Sequence, residues 1–235
     1  MSGPPATKRY YTTETTTRKL VMGVARLVLP LFYRLEAQHP ERLPREGGCI
    51  LAANHLNIVD PFPIQIFAGR PIFFMAKAEL HSTPWMDAFM RRLGSFPVSR
   101  GERDQWALNH AAALLNGGQV LGMFPEGTRS HGRGLAPAKG GVARLALNHG
   151  CQIVPVGLAG VQDRIGLTHR RVISIRFGQP IEPRSGEEPT ELTDRMMYTI
   201  AALLPPDLRG AYRVAPPGFP ELHRILEGGV GPAGR

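Results

Sequence analysis

The chain of 235 residues is 43% hydrophobic and 20% charged, ordinary globular values that exclude wholesale disorder and allow one sizeable core. Its 28 lysines and arginines against 19 aspartates and glutamates give a net charge of +9, with a pI of about 10.2. Such a surface favours anionic partners: phospholipid headgroups, nucleic acid or phosphorylated substrates.

Residues 1–17 are polar and threonine-rich, have no apolar period, and are expected to form a disordered tail. Over residues 18–35, winding at about 100° per residue groups Arg18, Lys19, Arg26 and Arg34 against Leu20, Val24, Leu27, Val28, Leu31 and Leu35. This predicts an N-terminal amphipathic helix, either packed on the core or lying on an anionic membrane. Arg26 and Pro30 interrupt the apolar stretch, leaving it short of the ~20 residues a spanning helix needs and unlike a signal peptide.

Strands are then predicted at 34–39, 49–53, 71–76, 95–98, 119–123, 152–157 and 171–177. Helices are predicted at 61–68, 84–93, 103–116, 139–149 and 188–204. Asp60-Pro61 has the form of a helix cap followed by a proline in the first turn, and Asn116-Gly117-Gly118 and His149-Gly150 read as glycine stops. The alternation argues for a single α/β domain over 36–204, a mixed, mostly parallel sheet covered by helices. Residues 205–235, rich in proline and glycine, are expected as a tail with a short helix at 220–227. Cys49 and Cys151 each begin a predicted strand without a CxxC neighbour, so buried free thiols in a reducing compartment are expected.

Two polar clusters follow apolar strands. The first is Asn54-His55-Leu56-Asn57-Ile58-Val59-Asp60, in which His55 and Asp60 have the makings of a general base and the group that orients it. Taken singly, each has a plainer role, Asp60 as a helix cap and His55 as a loop histidine. No GxSxG motif supplies a nucleophile, so direct activation of a substrate hydroxyl is the simplest chemistry. The second is Phe124-Pro125-Glu126-Gly127-Thr128-Arg129-Ser130. Arg129 can fork onto a phosphate with Thr128 and Ser130 adding hydrogen bonds, Gly127 permits close backbone approach, and Glu126 can meet a substrate hydroxyl. The plainer alternative is a surface Glu126–Arg129 pair. Lys139-Gly140-Gly141, opening a helix, could bind an anion, but it lacks the preceding glycine of a phosphate loop and is expected as a structural turn. His81, His131 and His149 lack metal-like partners, and Trp85 and Trp106 are expected to anchor helices to the core or to an interface.

These blocks resemble the glycerolipid acyltransferase family typified by 1-acylglycerol-3-phosphate acyltransferases. His55 and Asp60 match its His-x4-Asp box, and residues 124–130 match its Phe-Pro-Glu-Gly-Thr-Arg-Ser block. Gly94-Ser95-Phe96-Pro97-Val98-Ser99-Arg100, Lys77-Ala78-Glu79-Leu80 and Ile153-Val154-Pro155-Val156-Gly157 follow the family's remaining blocks in order; Asn57 stands where serine is common. The resemblance covers roughly residues 35–180. It implies acyl transfer from acyl-CoA or acyl-carrier protein to a lysophospholipid, with His55 as base and Asp60 orienting it. Glu126, Gly127, Thr128, Arg129, Arg100 and Lys77 would bind the acceptor. No metal or other cofactor is implied. The implied setting is peripheral, on the anionic cytoplasmic face of the cell membrane. Glycerol 3-phosphate, an ornithine lipid or a glycolipid remain alternative acceptors. A nucleic-acid-binding role ranks low, because no basic and aromatic recognition motif is present.

Overall fold

A computed structural model describes residues 10–99, 104–161 and 171–227. Seven strands form one sheet in the order β1-β7-β6-β2-β5-β3-β4. They are β1 Tyr33–Gln38, β2 Cys49–Ala53, β3 Ile72–Lys77, β4 Ser95–Val98, β5 Val120–Met123, β6 Ile153–Ala159 and β7 Arg171–Phe177. Every pairing is parallel except β6 with β7, so the expected mixed, mostly parallel sheet is what forms. All five residues of β2 are buried, as suits a strand covered on both faces.

The crossovers sort the helices. Helices α2 (Pro61–Phe67) and α3 (Pro84–Arg92) leave strands that move toward the β4 edge, whereas α4 (Gln105–Asn116) and α5 (Gly141–His149) return from it. Right-handed crossovers therefore put α2 and α3 on one face and α4 and α5 on the other. The core follows this division. Ile64 and Ala68 pack with Leu51, Val154 and Phe177, while Ala111, Leu114 and Val142 pack with Ile50, Leu121 and Met196 of α6 (Pro189–Ala202). Both cysteines are buried and free.

Helix α1 runs Thr16–Phe32, so Arg34 and Leu35 belong to β1 rather than to the helix. It lies against α2, and Arg18 and Met22 are its two buried residues. Leu20, Val24, Leu27 and Leu31 are exposed, Leu27 by 75%, whereas Arg18 is only 3% exposed. Arg18 is therefore not one of the surface cations expected from the helical wheel. Its guanidinium donates to Gln65 Oε1 and, at 2.7 Å, to the Ile72 carbonyl, and lies 5.2 Å from the centre of the Phe73 ring. Burial pulls its pKa down to about 10, which still leaves it charged at neutral pH.

The two expected tails also differ. Residues 1–9 lie outside the described residues, but Tyr10 packs on Trp106 with ring centres 4.6 Å apart, and Thr15 caps α1 by accepting from the Arg18 N–H. At the other end, Leu208, Tyr212, Ala215 and Leu222 of α7 (Pro220–Glu227) are buried in the core. Leu135 and Leu208 are joined N–H to carbonyl at 3.0 Å, the Ala211 N–H returns to the Leu135 carbonyl at 2.9 Å, and the Ala138 N–H donates to Tyr212 Oη at 3.0 Å. Gly134 meets Gly210 so closely that a Cβ there would lie 2.8 Å from the Gly210 Cα. Proline and glycine here shape a buttress for residues 134–138.

Arg18→Met removes the donors to Gln65 and the Ile72 carbonyl and should cost about 2–3 kcal/mol. Lys19→Met, on the exposed side, should change stability by less than about 0.5 kcal/mol. Urea denaturation distinguishes them; equally small effects would show that Arg18 does not dock the helix.

Candidate active site

β2 delivers Asn54 and His55 to the carboxyl end of the sheet, where ligands of open α/β folds are bound. Asn54 continues the sheet ladder with its side chain, donating to the Leu158 carbonyl at 2.8 Å and accepting from its N–H at 2.7 Å. Beyond it the chain turns, and His55 Nδ1 comes 2.7 Å from Asp60 Oδ2. That same oxygen accepts the Leu56 and Asn57 N–H groups at 2.7 and 2.9 Å. Asp60 is fully buried and makes no side-chain cap bond to α2, so the expected cap is not its role. Its backbone is already helical (φ −49°, ψ −36°), and the carboxylate turns back onto residues 55–57 instead.

With Nδ1 engaged by Asp60, Nε2 is the ring nitrogen left to meet a substrate, and it has no partner among the described residues. Phe124 lies flat beneath the ring, centres 4.0 Å apart and planes 14° apart, and Phe74 stacks on Phe124 at 5.8 Å. Gly122 makes room for that stack, since a Cβ on it would lie 2.5 Å from the Phe74 ring. The base is thus held in plane from below and at one nitrogen.

The 124–130 block grips the backbone of the same histidine. Glu126 Oε1 accepts the His55 N–H at 2.8 Å, and the Ser130 N–H donates to the His55 carbonyl at 2.8 Å. Glu126 Oε2 accepts the Ala136 N–H at 2.9 Å. At 3% exposure, with both oxygens engaged by backbone, Glu126 is not presented to a substrate hydroxyl as expected. Burial raises its pKa, and the two N–H donors work against that rise.

Thr128 and Arg129 are exposed, and Arg129 has no ion-pair partner among the described residues, so the alternative of a Glu126–Arg129 surface pair is not formed. Gly127 adopts φ +67°, and the Lys139 stem passes it so closely that a Cβ would meet Lys139 Cδ and Cε at 3.3 Å. The Lys139 N–H also donates to the Pro125 carbonyl at 2.9 Å. Lys139, expected in a turn with anion binding as the lesser reading, is therefore brought to the Gly127 backbone as a second cation of the block. Its only sequence signal was a lysine just ahead of α5. Lys77 stands at the end of β3, where its ammonium pairs with Glu79 at 2.7 Å, and Arg100 lies outside the described residues.

The sequence profile of the Acyltransferase family matches residues 34–159, more than half of the chain. The chain belongs to the acyltransferase family. Its match is bounded by β1 and β6 and encloses both polar blocks. The 1-acyl-sn-glycerol-3-phosphate acyltransferase of Bacillus subtilis is 26% identical over 69% of this chain and 81% of its own length. That of Escherichia coli is 29% identical over 65% of each chain. A crystal structure of the 1-acyl-sn-glycerophosphate (LPA) acyltransferase PlsC from Thermotoga maritima shares the fold with a TM-score of 0.65. It is 24% identical, covering 77% of this chain and 76% of that one.

Asp60→Asn tests the acyltransferase dyad. Asparagine can keep the accepting oxygen, but its amide would replace Oδ1, which is buried and has no partner. Stability should fall by about 1–3 kcal/mol. Acyl-transfer turnover per folded molecule should fall at least ~100-fold, because the charge that stabilises an imidazolium is gone. Turnover that merely follows the folded fraction would leave Asp60 a structural role only.

Proposed function

We propose that the protein moves a fatty acyl group from acyl-CoA or acyl-carrier protein to the free hydroxyl of 1-acylglycerol 3-phosphate, a step of phospholipid biosynthesis. The observation that carries this reading is the unpartnered Nε2 of a carboxylate-oriented His55, clamped to a loop that presents Arg129. The names of the Bacillus subtilis and Escherichia coli relatives support the choice of acceptor.

In this scheme Nε2 accepts the acceptor's hydroxyl proton while that oxygen bonds to the thioester carbonyl carbon. Asp60 stabilises the imidazolium so formed. The tetrahedral intermediate collapses with cleavage of the carbon–sulfur bond, and the departing thiolate recovers the proton from His55. Arg129 and Lys139 hold the acceptor phosphate, with Thr128 adding a hydroxyl and Gly127 leaving room for close approach. Glu126 positions His55 rather than touching substrate. The scheme calls for no metal or redox cofactor, because the base and the leaving group are already supplied.

Membrane attachment at the cytoplasmic face belongs to the same proposal. No helix among the described residues is long and apolar enough to cross a membrane. The exposed Leu20, Val24, Leu27 and Leu31 of α1, with a net charge of +9, support an interfacial mode on anionic lipid.

A labelled acyl-transfer assay across 1-acylglycerol 3-phosphate, glycerol 3-phosphate, an ornithine lipid and a glycolipid tests the acceptor. Turnover only with an acceptor lacking phosphate would overturn it. His55→Ala should lower turnover by at least ~100-fold with the fold intact, and a purified variant of normal activity would remove the base from the scheme. Glu126→Gln exposes one of its two N–H donors to an amide NH2. It should lower kcat by about tenfold or more while KM for the acceptor stays within about twofold, whereas a substrate ligand would raise KM. Arg129→Lys should raise KM for a phosphate-bearing acceptor with little change for the thioester, since an ammonium cannot fork onto phosphate. Equal losses for both substrates would instead mark a structural arginine.

A further inference from the structure

Outside the catalytic loops, a groove of about 560 Å³ opens between α1, the start of β1 and the end of α2. Its lining is Arg26, Pro30, Tyr33, Arg34, Leu35, Ile66 and Phe67: two guanidiniums and an otherwise apolar wall. The volume is that of a small-molecule site. β1 stands at the sheet edge, three positions from the strand that carries His55, so this groove is not the catalytic one.

The groove's chemistry is that of an amphiphile receptor. Arg26 has no acidic partner among the described residues, whereas Arg34 pairs with Glu36 at 2.8 Å. That pair is exposed (73% and 39%), so it contributes less than about 1 kcal/mol and a phosphate can replace it. On the helical wheel Arg26 sits on the shoulder between inward-facing Met22 and the exposed stripe of Leu20, Val24, Leu27 and Leu31. A ligand that places an anion at the guanidiniums can therefore run its hydrocarbon over Pro30 and Phe67 or out along that stripe. Inorganic phosphate has no use for the wall, and a neutral lipid none for the arginines.

We propose that this groove binds an anionic phospholipid drawn from the bilayer, its phosphate between Arg26 and Arg34 and its glycerol and first acyl carbons against Pro30, Tyr33, Ile66 and Phe67. The proposal rests on the membrane attachment argued above and names the lipid contact that gives it headgroup selectivity. One bound lipid would tie α1, α2 and β1 together on the layer of the fold that also carries the loop into α2.

The test uses the full chain and submicellar dihexanoyl phosphatidylglycerol, which is neither substrate nor product of the proposed transfer. Hydrogen exchange should show protection in residues 24–36 and 64–68 and none in 124–130. Affinity should fall at least about tenfold in Arg26→Glu but less than about threefold in Lys19→Glu, which makes the same charge change two turns away outside the groove. Dihexanoyl phosphatidylcholine and glycerol 3-phosphate should each bind at least about tenfold more weakly, lacking the net charge and the chains respectively. Equal losses in the two variants would reduce the effect to general electrostatics and overturn the site. So would protection confined to 54–60 and 124–130, no binding, or equal binding of glycerol 3-phosphate. Acyl transfer measured on the same protein fails or survives independently, which separates this site from the catalytic reading.

Discussion

One carboxylate ties the site together. Glu126 accepts an N–H from His55 with one oxygen and from Ala136 with the other, joining the loop after β2 to the segment that follows the 124–130 block. Ser130 completes the grip by donating to the His55 carbonyl. Both backbone groups of the histidine are thus held by the block that also presents Arg129. Burying an acid is unfavourable, as its raised pKa records, and the two donors offset that only while both stay in place. The segment supplying Ala136 is itself fixed by Leu208, Ala211 and Tyr212. The order of dependence therefore runs from the C-terminal buttress through Glu126 to the backbone of His55.

The two acids near the histidine divide the work by what they accept. Asp60 takes the ring Nδ1–H and two loop amides on one oxygen, so it sets the tautomer and the loop turn together. Glu126 takes only backbone N–H groups, so it sets position and not protonation. Both are buried, whereas Arg129 is exposed without an acidic partner among the described residues and the Lys139 stem crosses Gly127. That separation leaves the cations free for a phosphate instead of neutralising them internally.

Much of this was legible in the sequence, and the remainder failed for specific reasons. The strands, the parallel character and the His55–Asp60 spacing follow from local apolar runs and short-range geometry. The cap expected of Asp60 failed because its helical backbone turns the side chain toward residues 55–57, a competition that spacing alone does not decide. The Glu126 role depends on two backbone amides, and amides carry no sequence signature. Lys139 meets Gly127 only after the chain has looped through residues 131–138. Between Leu204 and the helix at 220–227 the sequence lacks helical or strand period, yet Leu208, Tyr212 and Ala215 cover the core one at a time, beside Leu222 of that helix. The helical wheel grouped Arg18 with Lys19 and Arg26, but only Arg18 turns inward, beside Met22, because its partners Gln65 and the Ile72 carbonyl are set by tertiary packing.

The orientation of α1 has an energetic consequence. A helix held through Arg18 and Met22 leaves its largest apolar side chains in water, and exposed stripes of this kind mark interaction surfaces. The right-handed crossovers put α2 and α3 in one layer, where Ile58, Val59, Trp85 and Phe89 are also exposed, Trp85 by 68%, so Trp85 does not anchor its helix to the core. On the proposed membrane reading, each leucine or valine that enters lipid gains about 1.5–3 kcal/mol relative to water. Arg18 forgoes the contact with anionic headgroups expected of it, and in exchange its bonds keep the helix from turning its apolar stripe onto the domain. A basic residue buried on the inward side thereby keeps the apolar stripe outward and available.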